Sequence, residues 1–116
     1  MRVKATREGL IGHRTASGYV IDAVVPFVAL PARVALGRFV QLVNPLTEAR
    51  CFAVVLDVGP WNTDDDAYVI GGARPQAETG TDTFGRQTNG AGIDLSERVW
   101  HRLGLFENGV VDWQFL

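Results

Sequence analysis

Arg50-Cys51-Phe52-Ala53-Val54-Val55-Leu56-Asp57-Val58 (RCFAVVLDV) is the stretch on which the reading of the fold turns. It is an almost unbroken apolar run with valine and phenylalanine prominent, residue types that fit a pleated, half-buried surface. Gly59-Pro60 stops it, because proline has no amide to give to a strand ladder. Just upstream, Phe39-Val40-Gln41-Leu42-Val43 has the same preference, and Asn44-Pro45-Leu46-Thr47 between the two runs has turn chemistry. The two runs read as a β-hairpin.

Outward from the hairpin the chain stays mostly β. Residues 8–14 (EGLIGHR) are expected to form a first strand ending in the turn-like Thr15-Ala16-Ser17-Gly18, with Tyr19 to Ile21 extended after it. Val24 to Leu30 is a further apolar run, and Pro26 marks it as an edge or bent strand. One helix is expected over residues 95–103. Leu95, Val99, Trp100 and Leu103 line one face of it, while Glu97, Arg98 and Arg102 line the other. Asp94 with Glu97 three residues later has the form of a capping box, which gives Asp94 a structural role, and Gly104 suits the helix end. Val110 to Leu116 (VVDWQFL) closes the chain as a strand. Many strands and one late helix make a mostly β domain.

Residues 61–92 break this pattern. They are rich in Gly, Thr, Asp and Asn, with only short apolar pieces such as Tyr68-Val69-Ile70. A loop this long inside a compact domain is usually functional or disordered. It has too few apolar residues for a core of its own, so it is expected to lie against the barrel as one side, or a lid, of a groove starting at Gly59-Pro60.

The 116 residues suit a single domain, 1–116, large enough to bury a core without staples. A formal net charge of -2 gives no electrostatic footprint for nucleic acid. No apolar run is long enough to span a bilayer, and no secretory leader is expected from the basic start Met1-Arg2-Val3-Lys4. Cys51 is the only cysteine, so no internal disulfide forms, and its apolar setting predicts a buried, inert thiol. His13 and His101 have no metal-ligand spacing to each other or to Cys51. Asp64-Asp65-Asp66 lacks the spacing of a calcium loop. Neither a metal site nor a cofactor is expected.

Three segments in order resemble the double-psi β-barrel of rare lipoprotein A, a bacterial cell-wall family related in fold to expansins and family 45 endoglucanases. Thr15-Ala16-Ser17-Gly18 with Asp22 is similar to the family's T-A-N-G-E-x-F-D. Val40 to Pro60 (VxLVNP…AVVLDVGP) is similar to V-x-V-T-N…V-V-V-R-V-N-D-R-G-P. Gly92-Ile93-Asp94-Leu95-Ser96 with Leu103-Gly104 is similar to I-D-L-S…L-G, and Leu30-Pro31 fits the short L-P between the first two. The resemblance covers about residues 14–116. It implies a six-stranded double-psi β-barrel with one short α-helix near the C-terminus and a long inserted loop. There are departures. Tyr19 stands where the family has Glu, Phe27 and Val28 occupy the region of a family His, and residues 61–92 are inserted.

The resemblance also implies a chemistry. Asp57 and Asp22 match family positions implicated in cleaving or binding glycans; Asp94 matches one too, but its capping role is the stronger reading. A carboxylate leaving an apolar strand is partly desolvated, which raises its pKa and suits it to protonate a glycosidic oxygen. Asp57 is therefore the expected general acid, or else a cap on the Gly-Pro turn. Asp22 is the expected second acidic group, or else a turn residue. Tyr19, Trp61, Asn62, Arg74 and Asn89 are the expected substrate contacts: aromatic rings on which sugar faces stack, and polar groups for sugar hydroxyls. The implied partner is polysaccharide, a peptidoglycan glycan strand in the bacterial envelope, cleaved by a lytic transglycosylase-like reaction. Two alternatives stand beside it. One is a non-catalytic, expansin-like glycan-binding module, which the missing Glu and His favour. The other is a structural domain of the phage-tail kind.

Overall fold

Alternation drives the central hairpin. In β3 (Phe39–Val43) and β4 (Arg50–Val58), Val40, Leu42, Cys51, Ala53 and Val55 point inward and are at most 3% exposed, while Phe39 and Phe52 stand in solvent. The strands pair antiparallel with Val40 opposite Ala53 and Leu42 opposite Cys51. This is a computed structural model describing residues 1–106 and 109–116. Four further strands, β1 (Arg2–Arg7), β2 (Phe27–Leu30), β5 (Ile93–Leu95) and β6 (Gly109–Phe115), join the hairpin in a closed barrel of order β1-β5-β2-β4-β3-β6. The β1–β5 and β2–β4 pairs are parallel, and the others are antiparallel. Closure leaves no strand edge unpaired among the described residues. Val3, Ala5, Val28, Leu30, Ile93, Leu95, Val111 and Trp113 complete one core with the hairpin residues. Cys51 is buried there, and desolvation pushes its thiol pKa up. No helix among the described residues is long and apolar enough to cross a membrane.

Three sequence expectations need correction. Residues 8–14 are not the first strand: β1 lies before them, and Leu10 and Ile11 are each 55% exposed. Gly9 and Gly12, at φ +62° and +90°, take the chain out of extended conformation as soon as the pairing of β1 with β5 ends at Arg7–Leu95. Pro26 marks no edge. It sits just before β2, which is flanked on both sides by β4 and β5. Asp94 is not the helix cap. Helix α2 (Glu97–Arg102) is capped by Ser96, whose Oγ accepts from the amides of Val99 (3.4 Å) and Phe27 (3.1 Å). Pairing of Asp94 with Thr6 on one side and Ala29 on the other keeps it in β5, so the helix begins later than the local signal indicates.

The inserted segment 61–92 packs on the barrel through helix α1 (Asp66–Val69). Tyr68 and Val69 belong to the same core cluster as Val3, Ile93 and Trp113. The Tyr68 hydroxyl donates to Gly92 O (2.9 Å) and accepts from Trp113 Nε1 (2.8 Å), and the two rings meet edge to face. Buried polar atoms are thereby paired, as burial demands. Gly92 is required at this junction, because a Cβ there would lie 2.9 Å from Pro75 and 3.1 Å from Val3.

Candidate functional site

A β-bulge builds the site. Val28 pairs with Val55, but the next residue, Ala29, pairs with Asp57, so Leu56 is an extra residue on β4. Without it Asp57, two residues after the core-facing Val55, would also point into the barrel. The bulge turns it to the opposite face, as bulges near active sites do. Asp94 reaches that face by ordinary alternation between buried Ile93 and Leu95. Ala29 is the partner of both carboxylates, Asp57 on β4 and Asp94 on β5. Thr6, Asp94, Ala29 and Asp57 thus form one row across four neighbouring strands. Glu8, two residues after Thr6, comes to the same face by alternation. The Glu8 amide extends the β1 ladder by donating to Leu95 O (2.9 Å).

Burial and neighbouring like charge disfavour ionisation of Glu8 and Asp94. Glu8 responds most. Burial first, then the neighbouring Asp57 carboxyl and the charge of Asp94, raise its pKa to about 9. Its Oε2 is buried with no donor to satisfy it as an anion. Asp94 is pushed up to about 6, chiefly by burial, with the Asp57 charge adding to it and the Thr6 hydroxyl opposing. Asp57 Oδ1 accepts from the amides of Ala16 and Val58, both at 2.9 Å. The Thr15–Gly18 turn lies over the end of β4, held also by Ser17 N to Leu56 O (3.2 Å).

The other expected site residues have partners of their own. Asp22 is exposed, and its Oδ1 accepts from Val24 N (2.8 Å) and Val25 N (3.1 Å). Those amides, Val24 first, hold its pKa below the usual range. Asp22 has the contacts of a turn residue, and the carboxyl neighbours of Asp57 are Glu8 and Asp94. Tyr19 packs edge to face on Phe27 at 5.8 Å. Its hydroxyl faces Asp22 without closing a hydrogen bond, and burial raises its pKa. Trp61 gives its indole N–H to Asn89 Oδ1 (3.0 Å), which also accepts from Ala91 N. Asn62 is buried, with its Oδ1 accepting from Thr83 N and Oγ1 and its Nδ2 donating to Gln76. It knits the insertion together internally. Arg74 pairs with Glu78 on the surface, an exposed i,i+4 pair of small energetic weight. Glu8 is the member that sequence reading missed. No motif marks it, because its place in the cluster depends on the β1–β5 pairing and the bulge in β4. Among the described residues no group of three acidic, His or Cys side chains is arranged to hold a metal ion.

The model of a protein family described as "Domain of unknown function (DUF8814)" matches residues 1–114. The chain belongs to this family. No curated protein matches it. Among solved structures, the Streptomyces papain inhibitor (SPI) is similar over 100% of this chain and 93% of its own, with a TM-score of 0.56 and 18% identity. At that identity the likeness concerns the fold, a closed six-stranded β-barrel with few short helices. The family's match from residue 1 takes in β1 and Glu8 as well as Asp57 and Asp94, so the whole carboxyl row lies inside it.

Proposed function

We propose that this protein is a glycan-cleaving double-psi β-barrel of the rare lipoprotein A kind, acting on peptidoglycan strands of the bacterial envelope with Asp57 as general acid. The observation that carries the reading is the bulge that turns Asp57 out of the core, onto the face it shares with Asp94 across Ala29. The two parallel strand pairs in a closed six-stranded barrel support the double-psi topology. In the reaction, Asp57 gives a proton to the glycosidic oxygen and the C1–O bond breaks. The sugar's own C6 hydroxyl then closes on C1 and returns its proton to Asp57. The ionised carboxylates nearby stabilise the positive charge that develops at C1. Water is not consumed, so no second carboxylate is needed to activate it.

Mass spectrometry of purified peptidoglycan after incubation tests this. The wild type should release anhydro-ended fragments, and Asp57→Asn should lose roughly a hundredfold or more of that activity. Intact glycan that nevertheless retains the protein would select the expansin-like binding module instead, and neither cleavage nor retention would end the glycan reading.

A second reading, protease inhibition, is favoured by a different feature. Phe84 projects at 78% exposure from a turn bridged between Thr81 and Gln87. The buried Asp82 carboxylate braces that turn, accepting from the amides of Phe84 and Arg86 and from Arg86 Nε. A rigid turn offering one large apolar side chain binds with little loss of conformational freedom. If it inhibits papain, Phe84→Ala should weaken inhibition roughly tenfold or more. Papain activity unaffected by a large excess of the wild type would dismiss this reading.

A further inference from the structure

An exposed loop tip is ordinarily where peptidases nick a folded protein. The tip that carries Phe84 is built against that fate. All five amides from Asp82 to Arg86 are taken within the protein. Asp82 N donates to Arg86 O (2.9 Å) and Gly85 N to Asp82 O (3.1 Å), which folds the chain back on itself. Phe84 N (2.9 Å) and Arg86 N (2.8 Å) donate to Asp82 Oδ1, and Thr83 N donates to Asn62 Oδ1 (3.0 Å). Both accepting side chains are buried: that of Asp82 is 0% exposed, and Asn62 is 1% exposed. Arg86 closes the outer side, giving Nε to Asp82 Oδ2 (2.6 Å) and Nη2 to Trp61 O (3.2 Å). Gly85, at φ +81°, completes the turn. An extended peptide docks in a cleft through its main-chain hydrogen bonds. With its amides taken and its chain folded back, this segment offers a side chain and no strand.

We propose that Asp82 is the positioning residue that makes the Phe84 tip a plug rather than a substrate. The ring enters an apolar subsite of a papain-like cysteine peptidase, while the peptide bonds on either side of it stay out of the nucleophile's reach. This rests on the protease-inhibiting reading of the same tip. Cutting would add one water across a bond next to Phe84, leaving a new carboxyl and a new amine. It requires the turn to open first, and its rate follows the population of the open form. The bonds to Asp82 hold that population down, because a carboxylate acceptor strengthens each of them. The same bracing spares the cost of ordering the tip on binding.

The test follows papain activity together with the mass of the full chain during prolonged incubation, for the wild type, Asp82→Ala and Gly85→Val. Gly85→Val strains the same turn, because a β-branched residue does not tolerate φ +81°. A Cβ at that position meets nothing within 4 Å, so the buried carboxylate and the barrel are left alone. If Asp82→Ala lacks the wild-type circular dichroism, Gly85→Val decides. The wild type should inhibit steadily and keep its mass. Both variants should be cut beside Phe84 roughly tenfold or more faster than the wild type, their inhibition fading as the cut accumulates. Folded variants that stay whole, whether or not they still inhibit, overturn the proposal, and so does a wild type that is cut beside Phe84 while it inhibits. Those results leave the inhibitory reading standing. A wild type that does not slow papain at all removes that reading, and this proposal with it.

Discussion

Replacing Tyr68 by Phe should lower the free energy of unfolding by about 2–4 kcal/mol. The substitution removes one oxygen and leaves the packing volume nearly unchanged, so no cavity contributes. What it strands is two polar groups. Trp113 Nε1 loses its acceptor at 2.8 Å, and Gly92 O loses its donor at 2.9 Å. Tyr68 is 1% exposed, and the tight fit around Gly92 leaves no space for a replacement water. Each stranded group costs about 1–3 kcal/mol, part of which relaxation recovers. Urea unfolding followed by tryptophan fluorescence reads the effect as a lower midpoint at unchanged slope. A loss below about 0.5 kcal/mol would mean that the insertion is not anchored through this hydroxyl.

The same anchor shows what the sequence conveyed and what it did not. β3, β4 and the turn between them were legible because their signal is local: alternating burial, then Gly-Pro. β1 was not legible, because Arg2, Lys4 and Thr6 alternate with only Val3 and Ala5, and the more apolar Leu10 and Ile11 next to them draw the strand forward. β5 is three residues long and is defined by its partners. The insertion was read as polar, and it is, except that Tyr68 and Val69 enter the barrel core. Excising it would therefore remove part of the core as well as a loop. In the site, Asp57 was legible from its position at the end of an apolar strand. Its neighbours were legible only in part. Asp94 has a local capping signal that sheet pairing overrides, and Glu8 lies far from Asp57 in sequence. A bulge that decides which way a carboxylate points becomes visible only when both strands are in register.

Glu8→Gln should change the pH dependence of stability more than stability itself. In the folded chain Glu8 binds its proton up to about pH 9 and Asp94 up to about pH 6, against ordinary values of 4.5 and 3.8. The folded state thus holds more protons than the unfolded state in between. Their contribution to stability is fully present below the unfolded values and is lost as pH rises through the folded ones. Asp22, Asp82, Glu97 and Asp112 run the other way. Their pKa values are held down, chiefly by amide donors at Asp22 and by arginine at Glu97 and Asp112, so their contribution is lost only as pH falls below the ordinary carboxylate range. Wild-type stability should therefore peak near about pH 5 and decline toward pH 9. Glutamine is neutral throughout, so the variant should match the wild type at pH 5 and exceed it at pH 9. Solvent screening at a half-buried carboxyl holds that gain to about 2 kcal/mol. Thermal melts of both proteins at the two pH values measure it, and an equal offset at both would mean that Glu8 carries no shifted proton.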